Sequence, residues 1–149
     1  MSAEHRISLP DIIYTLSCLL LDRYCCDRKL SEKFKTEYGR THTFEQQFAK
    51  LELPEEFDLL GTIYQSFLTE GVKNSTGSYY TEQSVAQELL NSLGTKPGAA
   101  FLDPCCGSGT FLTLAQDMGL KVSGMDSDPI AVMIAKANLI LAGATEYPA

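Results

Sequence analysis

Residues Phe101–Leu112 read FLDPCCGSGTFL: a short apolar run ends in an acid, a turn carrying Gly107, Ser108 and Gly109 follows, and a second apolar run begins at Phe111. The run AAFLD (99–103) has the length and composition of a buried strand, and TFLTLAQDM (110–118) reads as a helix. The same pattern then repeats. LKVSGMD (120–126) is a strand that also ends in an acid, and PIAVMIAKANLILAG (129–143) is a long helix opened by Pro129 and stopped by Gly143. Strand, loop and helix alternating at this spacing predict a parallel α/β sheet.

In such a sheet, ligands bind beyond the carboxyl ends of the strands, where Asp103 and Asp126 both fall. Gly107 and Gly109 allow positive φ and a close approach of backbone to ligand. The phosphate loops fit poorly. A dinucleotide loop needs glycine where Leu112 stands, a P-loop needs a lysine that is absent, and an acid ahead of the turn repels a pyrophosphate. S-adenosylmethionine suits the acids better, because it carries a sulfonium and an ammonium and no phosphate. Asp103 can lie near its methionine end, directly or through water. Asp126, 19 positions after Gly107, can accept hydrogen bonds from both ribose hydroxyls. Taken singly, each acid also has a plainer reading, Asp103 as a cap on the glycine turn and Asp126 as a loop acid.

The chain divides at about Gly71 into a helical region, 1–70, and a partial α/β region, 71–149. Ile12, Ile13, Leu16, Leu19 and Leu20 keep a helical period, which predicts an amphipathic helix from Asp11 to about Cys26. Thr43 and Gln46 form a capping box before a short helix reaching about Lys50. Pro54 suits the first turn of another helix, with Phe57, Leu60, Tyr64 and Phe67 or Leu68 on one face. Glu70–Ser78 reads as a loop, and Thr81 as the cap of a helix with Val85, Leu89, Leu90 and Leu93 facing inward.

Composition narrows the function. The 149 residues suffice for a core, at 44% hydrophobic and 21% charged. The net charge of −7 argues against a large phosphate-binding surface on this chain, so weak or no DNA binding is expected of it alone. Five cysteines, with Cys25-Cys26 and Cys105-Cys106 adjacent, suit neither a disulfide framework nor a zinc site and point to a reducing cytoplasm. No apolar run reaches transmembrane length, and the N-terminus lacks the pattern of a secretory signal.

Three segments carry a family resemblance. DPCCGSGTFL (103–112) resembles the first motif of DNA adenine-N6 methyltransferases of restriction-modification systems, GMDSDPIA (124–131) is similar to their second, and GSYYTE (77–82) is similar to the segment preceding their sheet. The resemblance implies an N-terminal helical region followed by an incomplete Rossmann-like class I methyltransferase sheet that binds S-adenosyl-L-methionine. It places Tyr80 and Thr81 on the methionine part of the cofactor, with Tyr79 packing beside them. Asp103, Pro104, Cys105, Gly107, Ser108, Gly109, Thr110 and Phe111 form the first motif's share of the site. Asp126 takes the ribose, and Ser127 lies beside the adenine. Tyr79 and Tyr80 also admit a reading as aromatic packing between helices and sheet. Glu82 stands where the family usually has proline.

The family's catalytic N/D-P-P-Y/F motif is absent, since the six prolines stand at 10, 54, 97, 104, 129 and 148 and none adjoins another. The expectation is therefore the cofactor-binding part of a larger enzyme, inactive alone and reaching DNA through another part. In the family fold a later strand pairs with AAFLD, so an open strand edge is expected, met by self-association or by the N-terminal helices folding over it; a split-enzyme partner is the other expectation. Other readings are a fragment of a methyltransferase of ribosomal RNA or of protein glutamine, and a non-catalytic S-adenosylmethionine-binding or interaction module.

Overall fold

The structure, a computed structural model, describes residues 8–39, 50, 52–54, 56–68 and 81–148. The order is α1 (Leu9–Tyr24), α2 (Arg28–Tyr38), α3 (Leu59–Phe67), α4 (Gln83–Ser92), β1 (Ala100–Asp103), α5 (Thr110–Asp117), β2 (Lys121–Gly124) and α6 (Pro129–Leu141). The described part is thus mixed α/β and mostly helical, with one small parallel sheet. No helix among the described residues is long and apolar enough to cross a membrane.

β1 and β2 pair in parallel, Ala100 opposite Lys121 and Asp103 opposite Gly124. The ladder runs on past both strands, with Met125 N–H donating to Asp103 O and Cys106 N–H to Met125 O, each at 2.9 Å. This register sets Asp103, the end of β1, beside Gly124; β2 stops there, so Asp126 falls in the loop two residues past the strand that was expected to end in it. On one face, Phe101 and Val122 pack against Leu112 of α5 and Ala135 and Leu139 of α6. On the other, Leu102 is 58% exposed. A parallel sheet is ordinarily covered on both faces; among the described residues none is packed on this one.

The main core joins α1, α2, α3 and α6 through Ile13, Tyr14, Leu16, Phe34, Leu60, Ile134 and Ala137, among others. Ser8 caps α1, its Oγ accepting from Asp11 N–H. Every residue from Ile13 to Cys18 is buried, so α1 is enclosed over that stretch where its spacing had suggested a single apolar face. Thr15 and Ser17 satisfy their hydroxyls on the carbonyls of Asp11 and Ile13, 2.8 Å each.

Four expectations need correction. Helix α2 was passed over, although Asp27 caps it, Leu30 and Phe34 are buried one turn apart, and Gly39 ends it at φ 49°. Helix α3 begins at Leu59, capped by Asp58, and Pro54 lies outside it; Leu68 packs on the core while Phe67 is 53% exposed. Glu82, with no side-chain capping bond, stands at the N-cap of α4 in place of Thr81. On α4, Leu90 is buried as expected, but its core partner is Ala86, and Val85, Leu89 and Leu93 are exposed. The small Ala86 admits close contact with Leu114 and Ala115 of α5. The capping box at Thr43 and Gln46, the loop 70–78, Tyr79 and Tyr80 lie outside the described residues.

Candidate functional site

At the carboxyl ends of β1 and β2 lies a cleft of about 390 Å³. Thr81, Asp103, Pro104, Cys105, Gly107, Ser108, Thr110, Phe111, Asp126 and Ser127 line it, so the folded chain gathers ten of the residues picked from the sequence into one place. Gly61, Tyr64 and Gln65 of α3 close it, with Asp128 and Ala131 at the start of α6.

Asp103, at the end of β1, and Asp126, just past β2, shape the loop. Asp103 Oδ1 accepts from Cys105 N–H at 3.0 Å, which turns the chain out of β1. Asp126 Oδ2 accepts from Gly107 N–H at 2.8 Å, and its Oδ1 accepts from Asp128 N–H at 2.9 Å. One carboxylate therefore ties the glycine loop to the loop after β2. Asp128 in turn caps α6 on Ile130 N–H at 2.9 Å and accepts a hydrogen bond from the Tyr64 hydroxyl. Burial and that bond, beside the charges of Asp128 and Asp126, push the Tyr64 phenol well above its ordinary range. It stays a neutral donor.

The two glycines do different work. Gly107, at φ 53°, has nothing within 4 Å of where a Cβ would stand and lines the cleft. Gly109, at φ 90°, does not line it. A Cβ there would lie 3.0 Å from Ala135 Cβ and 3.2 Å from Ala135 Cα, so Gly109 lets the loop rest on α6.

Sequence reading missed Tyr64, Asp128, Asp58 and Asn138. Asp128 had a local signal, an aspartate before a helix-opening proline. Asp58 caps α3, and the rest of what joins it to Asn138, and Tyr64 to Asp128, is tertiary contact. Asp58 Oδ1 accepts from Gly61 N–H at 2.9 Å and from Asn138 Nδ2 at 2.6 Å, and its Oδ2 accepts from the Ser108 hydroxyl. Asn138 Nδ2 also donates to Ser108 O at 3.0 Å. Burial raises the Asp58 carboxyl, against the bonds from Ser108, Asn138 and Gly61; the nearby Glu56 charge raises it further. Asp58 and Asn138 line a second, more apolar hollow of about 310 Å³ beside Leu20, Phe57, Leu60 and Leu141.

The paired cysteines differ. Cys105 is exposed, whereas Cys106 is buried against Leu112, Ala135 and Leu139. Burial, then the charges of Asp126 and Asp103, push the Cys106 thiol up to about 11. A raised thiol pKa means that the reactive thiolate forms only at high pH. Alkylation of the folded chain at neutral pH, read by mass spectrometry, should modify Cys105 and spare Cys106. Labelling of Cys106 should rise only as the pH nears 11 or the chain unfolds. Equal labelling of both at neutral pH would contradict the buried, protonated thiol.

The cleft thus lies where β1 ends in Asp103 and the loop after β2 carries Asp126, beside a glycine loop, with no basic side chain among its described lining residues. Residues 55–148 match the N-6 DNA Methylase family, and the chain belongs to it. It is 37% identical over 99 residues to a type I restriction enzyme methylase subunit (MjaIX) of Methanocaldococcus jannaschii, covering 58% of this chain and 18% of that protein. It is 36% identical over 84 residues to the type II methyltransferase M.VspI of Vibrio sp. (strain 343), covering 54% of this chain and 21% of that protein. A ribosomal protein L11 methyltransferase of Desulfosudis oleivorans is 40% identical over 73 residues, 48% of this chain and 24% of the relative. The chain thus spans less than a quarter of the length of these relatives. No solved structure matches it.

Proposed function

We propose that the chain is the S-adenosylmethionine-binding N-terminal part of a DNA adenine-N6 methyltransferase of a restriction-modification system. One observation carries the cofactor reading. The cleft presents three carboxylates, Asp103, Asp126 and Asp128, and no lysine or arginine among its described lining residues. Such a site favours a ligand with cationic groups and hydroxyls and disfavours phosphates. S-adenosylmethionine fits that donor and acceptor set, and when bound it would supply an electrophilic methyl group.

In this reading Asp103 faces the methionine end, with Tyr79, Tyr80 and Thr81 beside it. Asp126 takes the ribose hydroxyls. Each of its oxygens already holds one backbone N–H, and a carboxylate has about four acceptor positions, so two remain for the ligand. Ser127 lies beside the adenine, Gly107 and Ser108 let the backbone approach, and Pro104, Cys105, Thr110 and Phe111 complete the wall. Gly109 serves the loop's shape. Residues 1–70 support a partial class I sheet in 71–149. Base flipping, amine activation and DNA contact belong to another part of the enzyme or to a partner chain, since no N/D-P-P-Y/F stands in the sequence. The similarity to a ribosomal protein methyltransferase favours a second reading, in which the acceptor is a protein side chain. The YYT segment and the DPCCGSG form favour the DNA enzymes.

Calorimetry with S-adenosylmethionine and with its demethylated product tests the cofactor reading. Both should bind, and ATP should not. Tighter binding of ATP would overturn it. Incubation with methyl-labelled cofactor and adenine-containing duplex should give no incorporation above blank, and incorporation that follows the purified chain would overturn the claim that catalysis lies elsewhere.

A further inference from the structure

We propose that Asp58 is a positioning residue that latches the glycine loop from outside the cleft. It rests on the reading of that cleft as a cofactor site, since a latched loop matters to function only if the loop holds a ligand. The carboxylate receives three donors from three different elements: Gly61 N–H in α3, the Ser108 hydroxyl in the glycine loop and the Asn138 amide in α6. Capping α3 requires only the first. The partners at Ser108 and Asn138 lie 50 and 80 positions further along the chain, so the remaining bonds serve tertiary placement. Asn138 closes the ring by holding Ser108 O as well, which fixes that loop residue through both its side chain and its backbone.

Two further observations show that the chain is shaped around this carboxylate. Asp58 sits at φ 53°, the one described non-glycine residue with positive φ. Such a conformation persists only where the surroundings hold it. Gly61 is also required. A Cβ at that position would stand 2.3 Å and 2.5 Å from the two carboxylate oxygens of Asp58. Asp58 is buried and does not line the cleft, so it acts on a ligand only through the lining residues it holds, Ser108 in the loop and Gly61 in α3. A loop held in its binding geometry loses less freedom on binding, which strengthens affinity.

The test uses Asp58→Ala, Asp58→Asn and Asn138→Ala in the full chain, with two readouts. Neither Asp58 nor Asn138 lines the cleft, so direct ligand contact is untouched. Hydrogen exchange at Gly107 and Gly109 reports the loop without any ligand. Asp58→Ala and Asn138→Ala should speed it about tenfold, as expected for loss of a charge-assisted bond, while α1 amides stay protected. Cofactor affinity should fall by a similar factor. Asp58→Asn should stay near wild type on both counts. Its carbonyl keeps the bonds to Gly61 and Asn138, the Ser108 hydroxyl can turn to accept from the amide, and asparagine tolerates the left-handed backbone. If Asp58→Ala does not fold, Asn138→Ala carries both readouts. Unchanged loop exchange in the folded variants overturns the latch. Faster exchange with unchanged affinity overturns the positioning role and leaves a fold contact. A wild-type chain that binds no cofactor removes the reading of the cleft, and loop exchange then decides the latch by itself.

Discussion

Replacing Gly109 by alanine should destabilise the chain by about 2–5 kcal/mol, from left-handed strain of about 1–2 kcal/mol and overpacking of about 1–3 kcal/mol. Gly109 sits at φ 90°, where a side chain is strained whatever the space. There is also little space. The new methyl would stand 3.0 Å from Ala135 Cβ and 3.2 Å from its Cα, and that Cα belongs to the backbone of α6, which cannot swing aside as the end of a long side chain can. Relief requires the loop and α6 to part. Gly107 supplies the control. Its φ is 53°, but nothing lies within 4 Å of its Cβ position, so Gly107→Ala should cost only the strain, about 1–2 kcal/mol. Urea unfolding of both variants checks the difference. Equal losses would show that contact with α6 adds nothing.

That contrast marks how far the sequence could be read. The strand-loop-helix repeat was legible because each element carries its own boundary signals: strand-end acids, paired glycines, Pro129 at the start of α6 and Gly143 after its end. The ten cleft-lining residues picked from the sequence were legible for the same reason, as they cluster in two short motifs and Thr81. That Gly107 faces the cleft while Gly109 faces Ala135 was not legible, since it depends on where α6 settles. The inner face of α4 was misread on similar grounds. Val85, Leu89 and Leu93 make the more apolar stripe, yet Ala86 and Leu90 meet α5. Periodicity finds a helix, but the partner chooses its face. Pro54 suggests a first helical turn, but α3 starts at Leu59 behind Asp58, an aspartate that carries its own capping signal. The long-range bonds of Asp58, Tyr64 and Asn138 have no local signal. Each acts on a residue 50 or more positions away.

Asp126→Ala should weaken S-adenosylmethionine binding by about 1–3 kcal/mol, the range for losing hydrogen bonds to a charged group, or roughly 5- to 150-fold. Two losses combine. The proposed ribose acceptors go, and so does the tie that holds Gly107 N–H and Asp128 N–H in place. Asp126→Asn separates this site from one where only charge matters. Both carboxylate oxygens accept from backbone N–H groups, so an amide placed there must turn its NH2 toward one of them, in either orientation. One half-buried N–H then loses its acceptor and faces a second donor. Asparagine should therefore lose nearly as much affinity as alanine, and the Gly107 or the Asp128 amide should exchange faster in the free protein. Calorimetry on the three proteins, paired with amide exchange, decides the point. Asparagine binding as tightly as aspartate would show that the carboxylate's two backbone bonds do not organise the cleft, and wild-type affinity in the alanine variant would remove Asp126 from the site.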